Sequence, residues 1–326
     1  MDLTAGHVET LADTVARAGA VVAAGGRTQW EVGNPPHEAI EVHAPVGVVS
    51  YEPDDLTITV GAGTSFAELD SILAEHGQEC ALHPRDPAAT VGGIVSCGLS
   101  GIRRLRHGPV RDHVLEVRFV TADGRTVKGG GPTVKNVTGY DIPRLFVGSF
   151  GTLGVLVQLT LRCRPRAACS QWFEADQPPD LFRAAAMLWD GRRVQILLEG
   201  NDADVNVQSA GLRACEPPRL PDGEHRGRIS VPPGELAALA PALDALPGAR
   251  WCAELGVGTV HVAADDAAVL VGARRAAHEH DGWLLREHGG DGIDGFGRPL
   301  PNAELMRRVK DAFDPTGKLA PGRLPL

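Results

Sequence analysis

PAATVGGIVSCGLSGIRRLRHGPVRDHVLEVRFVTADGR (87–125) and VKNVTGYDIPRLFVGSFGTLGVLVQL (134–159) are the two runs on which the fold turns. In the first, Val114–Val120 alternates apolar and polar residues, the period of a strand with one face buried. Asp123-Gly124 then supplies a turn and the chain returns, which predicts a hairpin. In the second, Leu153–Leu161 alternates again and predicts a further strand. Each run also carries a glycine-dense stretch, TVGGIVSCGLSG (90–101) and GSFGTLGV (148–155). Stripping side chains from so many positions lets backbone approach a flat or anionic ligand closely.

Upstream, Val8 to Ala18 has helical spacing, and Ala20 to Ala24 reads as a short buried strand ending in Gly25-Gly26. Ile40–His43, Gly47–Tyr51 and Leu56–Val60 are strand-like. Ser65-Phe66-Ala67-Glu68 is a capping box, which predicts a helix burying Phe66, Leu69, Ile72 and Leu73 and ending at Gly77. After Arg164-Pro165-Arg166 the chain turns to prolines and charges, with breakers at Pro178-Pro179, Pro217-Pro218 and Pro232-Pro233, so a domain boundary is expected near residue 165.

Composition narrows the function classes. At 326 residues and 43% hydrophobic, the chain can bury an ordinary core and divide into two domains or three. Forty glycines and 24 prolines exclude a helical bundle and point to a loop-rich α/β or α+β body. The net charge of −9, without a polybasic run, disfavours nucleic acid and anionic lipid as partners. Six cysteines with no CxxC pair suggest neither a disulfide framework nor an iron–sulfur or zinc set. The first residues show no basic-then-apolar leader, and no apolar run approaches 18 residues. A reducing cytoplasm is therefore the expected location, with any membrane association made through a partner.

Four glycine-rich stretches lie in the first 155 residues: GGRTQW (25–30), GAGTSF (61–66) and the two already quoted. GAGTSF follows a strand and opens a helix, as a dinucleotide fingerprint would, but Phe66 holds the third glycine place and no clean βαβ unit surrounds it. GGRTQW offers consecutive backbone N–H groups with Thr28 and Gln29 beside them, chemistry suited to a pyrophosphate. Each stretch alone could be a tight turn. Four together favour one large ligand lying across several loops.

The runs 87–125 and 134–159 resemble the FAD domain of the vanillyl-alcohol-oxidase type, and within it the family of glycolate oxidase FAD-binding subunits. LMRRVKDAFDPTGKLAPGR (305–323) is similar to that family's closing helix and its FDP-x-G-x-x-x-PG-R/K signature. The resemblance covers 20–164 well and 284–323 less fully. It implies an α+β fold: a two-subdomain PCMH-type FAD-binding domain over 1–165, a smaller α+β cap domain over 166–285, and a segment over 286–326 returning to the first domain. By the same resemblance Gly25, Gly26, Arg27, Thr28 and Gln29 form the pyrophosphate loop. Thr90, Val91, Gly92, Gly93 and Ser96 form the second cofactor loop, with Gly101 and Asp112 in the same block. Gly148, Ser149, Gly151, Gly154 and Val155 match the segment that approaches the adenine and diphosphate side. The family's covalent flavin attachments use His or Cys where this chain has Arg27-Thr28 and Pro87-Ala88-Ala89, so the FAD is expected to be non-covalent.

Hydride removal from a carbon bearing a hydroxyl needs a base for the hydroxyl proton and cations for the substrate carboxylate. WLLREHGGDGIDGFG (283–297) resembles the EHG-x-G element of flavin-dependent D-2-hydroxy-acid dehydrogenases, in which the His is the base and the Glu a metal ligand. That implies His288 as base, with Arg286 and Arg323 as carboxylate-binding candidates. ELGVGTVH (254–261) is similar to the H-x-G-D-G-N-L-H metal element, with Glu254 for the first His, Val257 for the Asp and His261 retained. Glu254, His261 and Glu287 could suit a divalent ion, although a surface glutamate or core histidine explains each without one. Two functions remain open: a dehydrogenase oxidising glycolate, D-lactate or a similar small 2-hydroxy acid on its own FAD, or a flavin-carrying subunit working with a second flavoprotein and an iron–sulfur subunit.

Overall fold

The computed structural model describes residues 3–131, 140–290, 292–297 and 299–326. The quoted run 134–159 is thus described from Tyr140 onward, and its first six residues lie outside. The N-terminal helix, Leu3–Arg17, places Val8, Leu11 and Val15 on one face, three and four residues apart, and buries them against Val21, Val120, Val155 and Leu319. The short strand Val21–Ala23 pairs in parallel with Ile40–Val42. On its other side Val21 accepts from Ala320 N at 2.7 Å and donates to Lys318 O at 2.8 Å, so the end of the chain is stitched into its beginning.

A five-stranded antiparallel sheet follows, in the order Val48–Glu52, Thr57–Gly61, Val155–Arg162, Val114–Val120, Thr126–Gly130. The predicted hairpin is its edge, with Gly124 at φ +84° in the turn. The predicted cap also forms: Ser65 Oγ accepts from Glu68 N at 3.2 Å, and the helix Phe66–Ala74 buries Phe66, Leu69 and Leu73. Val155–Arg162 has the position expected of it but is covered on both faces, which alternation alone does not reveal. Val155 and Val157 meet the N-terminal helix, while Leu156, Leu159 and Leu161 join the core of the helix Phe66–Ala74.

The second sheet has eight strands, all antiparallel, in the order Arg213–Ala214, Cys169–Ala175, Val194–Gly200, Ala186–Trp189, Arg250–Glu254, Thr259–Ala264, His225–Ser230, Trp283–His288. Helices Leu236–Asp244 and Ala267–Glu279 bury Leu239, Leu243, Leu270 and Ala277 against Trp251, Val260, Val262 and Leu284. This sheet meets the N-terminal half through apolar contacts, with Leu285 against Val32, Cys97 and Phe150 and Leu197 against Ile102, and also through polar groups. Arg103 donates to Glu79 at 2.9 and 2.6 Å and to Glu199 Oε2, on the second sheet, at 2.9 Å. His107 Nε2 lies 3.3 Å from the same Glu199 oxygen. Burial alone would raise the Glu199 carboxyl, but the bonds from His107 and Arg103 and the arginine's charge hold it down at about 2.

Next to this network His113, 1% exposed, is pushed down to about 4, first by burial and then by the Arg164 charge. The unfolded chain protonates such an imidazole from about pH 6.5, whereas the folded chain does so only near pH 4. Its contribution is complete above pH 6.5 and is lost as the pH falls toward 4, about 3 kcal/mol in all. Melting temperatures measured from pH 7 to pH 4 should therefore fall, and His113→Gln should flatten the slope. An equal slope in wild type and variant would remove His113 from the acid response.

Candidate cofactor site

Gly25 and Gly26 are required by the protein's own packing. A Cβ on Gly25 would lie 2.3 Å from Thr90 Oγ1, and one on Gly26 would lie 2.5 Å from Ala88 O. Only glycine lets the loop after Val21–Ala23 lie directly on the loop before the helix Val91–Cys97, which Thr90 caps by accepting from Gly93 N at 3.2 Å. Ala62-Gly63 brings in a third loop, and Phe150, Gly151 and Gly154 bring in a fourth. Together they line one cleft of about 800 Å³, counting the part open to solvent.

The chemistry of this cleft suits an anion. The backbone amides of residues 25–29 donate to no acceptor among the described residues, although the loop lines the cleft. Gln29 Oε1, buried without a partner among the described residues, is an acceptor for a donor group of the ligand rather than for its anion. No acidic side chain lines the cleft among the described residues, whereas Arg27 and Arg323 do. Arg27 is paired with Glu41 and lies over the Trp30 ring at 4.5 Å. Arg323 donates to Trp30 O at 2.6 Å and Asn34 O at 3.0 Å, with its guanidinium 5.7 Å from both the Trp30 and Phe150 rings. A glycine-lined cleft with unpaired amides, two guanidinium groups and two aromatic rings fits the diphosphate and rings of FAD.

Of the residues expected at the cofactor, Gly25, Gly26, Arg27, Thr28, Gln29, Thr90, Gly92, Gly93, Ser96, Gly151 and Gly154 line the cleft. The others lie outside it for identifiable reasons. Val91 and Val155 are core residues. Gly101 is pressed against His83 O, 2.1 Å from where its Cβ would be. Asp112 sits at the surface beside Arg111 at 3.9 Å. Ser149 Oγ is used by Phe146 O at 2.9 Å, and Gly148 lines neighbouring cavities. Sequence reasoning missed Trp30, Cys97 and Phe150, and it set aside Ala62-Gly63, which the strand–turn–helix context of GAGTSF had flagged. Burial pushes the Cys97 thiol up to about 11, so at neutral pH it is an uncharged wall.

Arg286, His288 and Arg323 are not brought together in one cavity. Arg286 is buried and committed to backbone, with Nη2 on Gly33 O at 2.8 Å and Nη1 on Gly289 O at 3.1 Å. His288 Nδ1 lies 3.0 Å from Glu31 Oε2 near the surface, and the imidazole lines none of the cavities beside the cleft. Glu254, His261 and Glu287 do not form a metal set, and no group of three such ligands occurs among the described residues. Glu254 Oε1 and His261 Nε2 bind each other at 2.8 Å. Glu287 accepts from Arg228 Nε at 2.7 Å, so its charge is met by a guanidinium rather than by an ion.

Comparison with known proteins agrees with this geometry. A family model described as an FAD binding domain matches residues 3–130. The glycolate oxidase subunit GlcE of Escherichia coli is 32% identical over 88% of this chain and 87% of its own length. A D-lactate dehydrogenase of Archaeoglobus fulgidus is 38% identical over a shorter match, 36% of this chain and 27% of its own. In structure, an alkyldihydroxyacetonephosphate synthase superposes on 98% of the chain and 74% of its own length, with a TM-score of 0.69 at 14% identity, and so shares the fold. The match to GlcE, over most of both chains, places this chain in a family of FAD-binding oxidoreductases, and it belongs with the glycolate oxidase FAD-binding subunits.

Proposed function

We propose that this chain is the FAD-carrying subunit of an enzyme that oxidises a small 2-hydroxy acid such as glycolate or D-lactate, and that it works with a second flavoprotein and an iron–sulfur subunit. The observation that carries the proposal is the cleft itself: five successive amides with no acceptor, and no acidic side chain in the lining, among the described residues. Bound there, FAD would accept the electron pair from the substrate. The loop 25–29 would hold the diphosphate, and Trp30, Phe150 and Arg323 would close one wall. All six cysteines are free thiols, which fits a reducing cytoplasm, and no helix among the described residues is long and apolar enough to cross a membrane.

A second version has a specific observation behind it. Among the described residues no histidine lines the cleft or the cavities beside it, so the chain could carry electrons while a partner abstracts the hydroxyl proton. Anaerobic addition of glycolate, D-lactate and related acids to the FAD-loaded chain, alone and with its partner subunits, separates the two. Bleaching of the isolated chain supports oxidation on its own FAD, and bleaching only in the assembly supports electron carriage. No bleaching in either preparation would overturn the proposal. In a bleaching chain, a base at His288 requires His288→Asn to slow reduction by roughly a hundredfold or more. With Glu31 as its neighbour and no cavity beside it, we predict a change below about twofold, and a hundredfold loss would restore the base assignment.

A further inference from the structure

A second cavity adjoins the cofactor cleft and shares Thr28 and Gln29 with it. It opens between the loop Pro84–Pro87 and the strands His225–Ser230 and Trp283–His288, with a volume of about 900 Å³ including its open part. Three guanidinium groups line it, Arg85, Arg226 and Arg228, against two carboxylates, Asp86 and Glu287. One Asp86 oxygen is already engaged by Ala88 N at 2.8 Å. Arg228 Nε holds Glu287 at 2.7 Å and Nη1 holds Ser100 O at 2.9 Å, fixing the guanidinium between the two domains. Asp222, outside the lining, accepts from Arg226 at 2.8 Å and Arg85 at 3.4 Å, and Arg226 Nε remains buried without a partner.

The register explains why a guanidinium stands here. Arg228 pairs with His261 on one neighbouring strand and with Leu285 on the other, so it lies between the Glu254–His261 pair and Glu287. A divalent ion among those three side chains would meet the arginine's positive charge at close range. The residues therefore do not fit a metal, and the chain supplies fixed cations of its own. We infer that this cavity is a metal-free oxyanion site that takes the carboxylate of a small hydroxy acid, with Arg85, Arg226 and Arg228 providing the positive charge. A planar carboxylate can accept two parallel N–H bonds from one guanidinium, which the same ammonium charge could not offer. The shared Thr28-Gln29 edge sets the anion next to the cofactor cleft. The carboxylate's identity rests on the proposed function, whereas the oxyanion chemistry does not.

The test is calorimetric titration of the FAD-loaded full chain, dialysed against a chelator, with oxalate and, separately, inorganic phosphate. Oxalate should bind without added metal and more tightly than phosphate. Arg85→Gln should weaken oxalate roughly tenfold or more, the loss expected for a charge-assisted hydrogen bond, while FAD content stays at the wild-type level. Arg228→Gln should do the same. Should that variant fail to fold because the buried charge of Glu287 is left unpaired, Arg228→Gln with Glu287→Gln keeps the test available. Binding of oxalate only after Mn²⁺ or Zn²⁺ is restored, unchanged affinity in Arg85→Gln, or tighter binding of phosphate would overturn the inference. FAD content and substrate bleaching are read separately, so failure here is distinguishable from failure of the proposed function.

Discussion

Ser96→Glu should abolish FAD binding while leaving the fold intact. Ser96 lines the cleft from the helix Val91–Cys97, and its side chain is committed to no partner among the described residues. Glutamate is a good helix former, so the backbone loses nothing at this position. Its carboxylate would face a diphosphate across a partly dry cleft, where two like charges about 4 Å apart cost roughly 4 kcal/mol. The expected loss of affinity is a hundredfold or more, read by fluorescence titration of apo protein with FAD, with the melting temperature kept near wild type. Ser96→Ala should bind FAD normally. Gly92→Glu is a poorer probe, since a Cβ there would already sit 2.9 Å from Ala62. Stoichiometric FAD in purified Ser96→Glu would remove this helix from the cofactor site.

Arg103→Met should cost about 3–5 kcal/mol of unfolding free energy, the penalty for leaving buried carboxylates without their partner. Arg103 is 8% exposed, Glu79 7% and Glu199 6%, so water reaches none of the three freely. The same arginine joins Glu79, on the short strand Gln78–Glu79, to Glu199 in the eight-stranded sheet, so its loss also weakens the contact between them. Urea unfolding should move to a clearly lower midpoint, and adding Glu79→Gln and Glu199→Gln should recover part of the loss. A shift under about 1 kcal/mol, the size seen for solvent-exposed pairs, would show that the network is hydrated and marginal.

The elements most legible in the sequence were those whose signals are local. The hairpin over 114–130 and the cap at Ser65 needed only a two-residue period, a turn glycine and a serine three residues before a glutamate. The glycine loops were legible as a set, because four of them before residue 155 had no common structural use. Trp30 and Phe150 were not, since an aromatic among glycines reads as core, and only the meeting of distant loops turns their faces toward a ligand. Arg228 was invisible for a related reason. In HRGRIS an arginine looks like the wet face of a strand, and only the pairing with His261 and Leu285 places it between Glu287 and Ser100 O. His288 shows the reverse. Its motif was legible, but the irregular register at Arg226/Gly227 leaves it at the strand end beside Glu31 rather than over the cleft.

FAD content and its release test the central claim most directly. The chain, purified and saturated with FAD, should hold one flavin per polypeptide, because one cleft carries the amides 25–29, which have no acceptor among the described residues. Acid precipitation should then leave a yellow supernatant and a colourless pellet, since Arg27-Thr28 and Pro87-Ala88-Ala89 offer no histidine or cysteine for a covalent bond. Apo protein that ignores FAD in titration, or a pellet that stays yellow after washing, would contradict it.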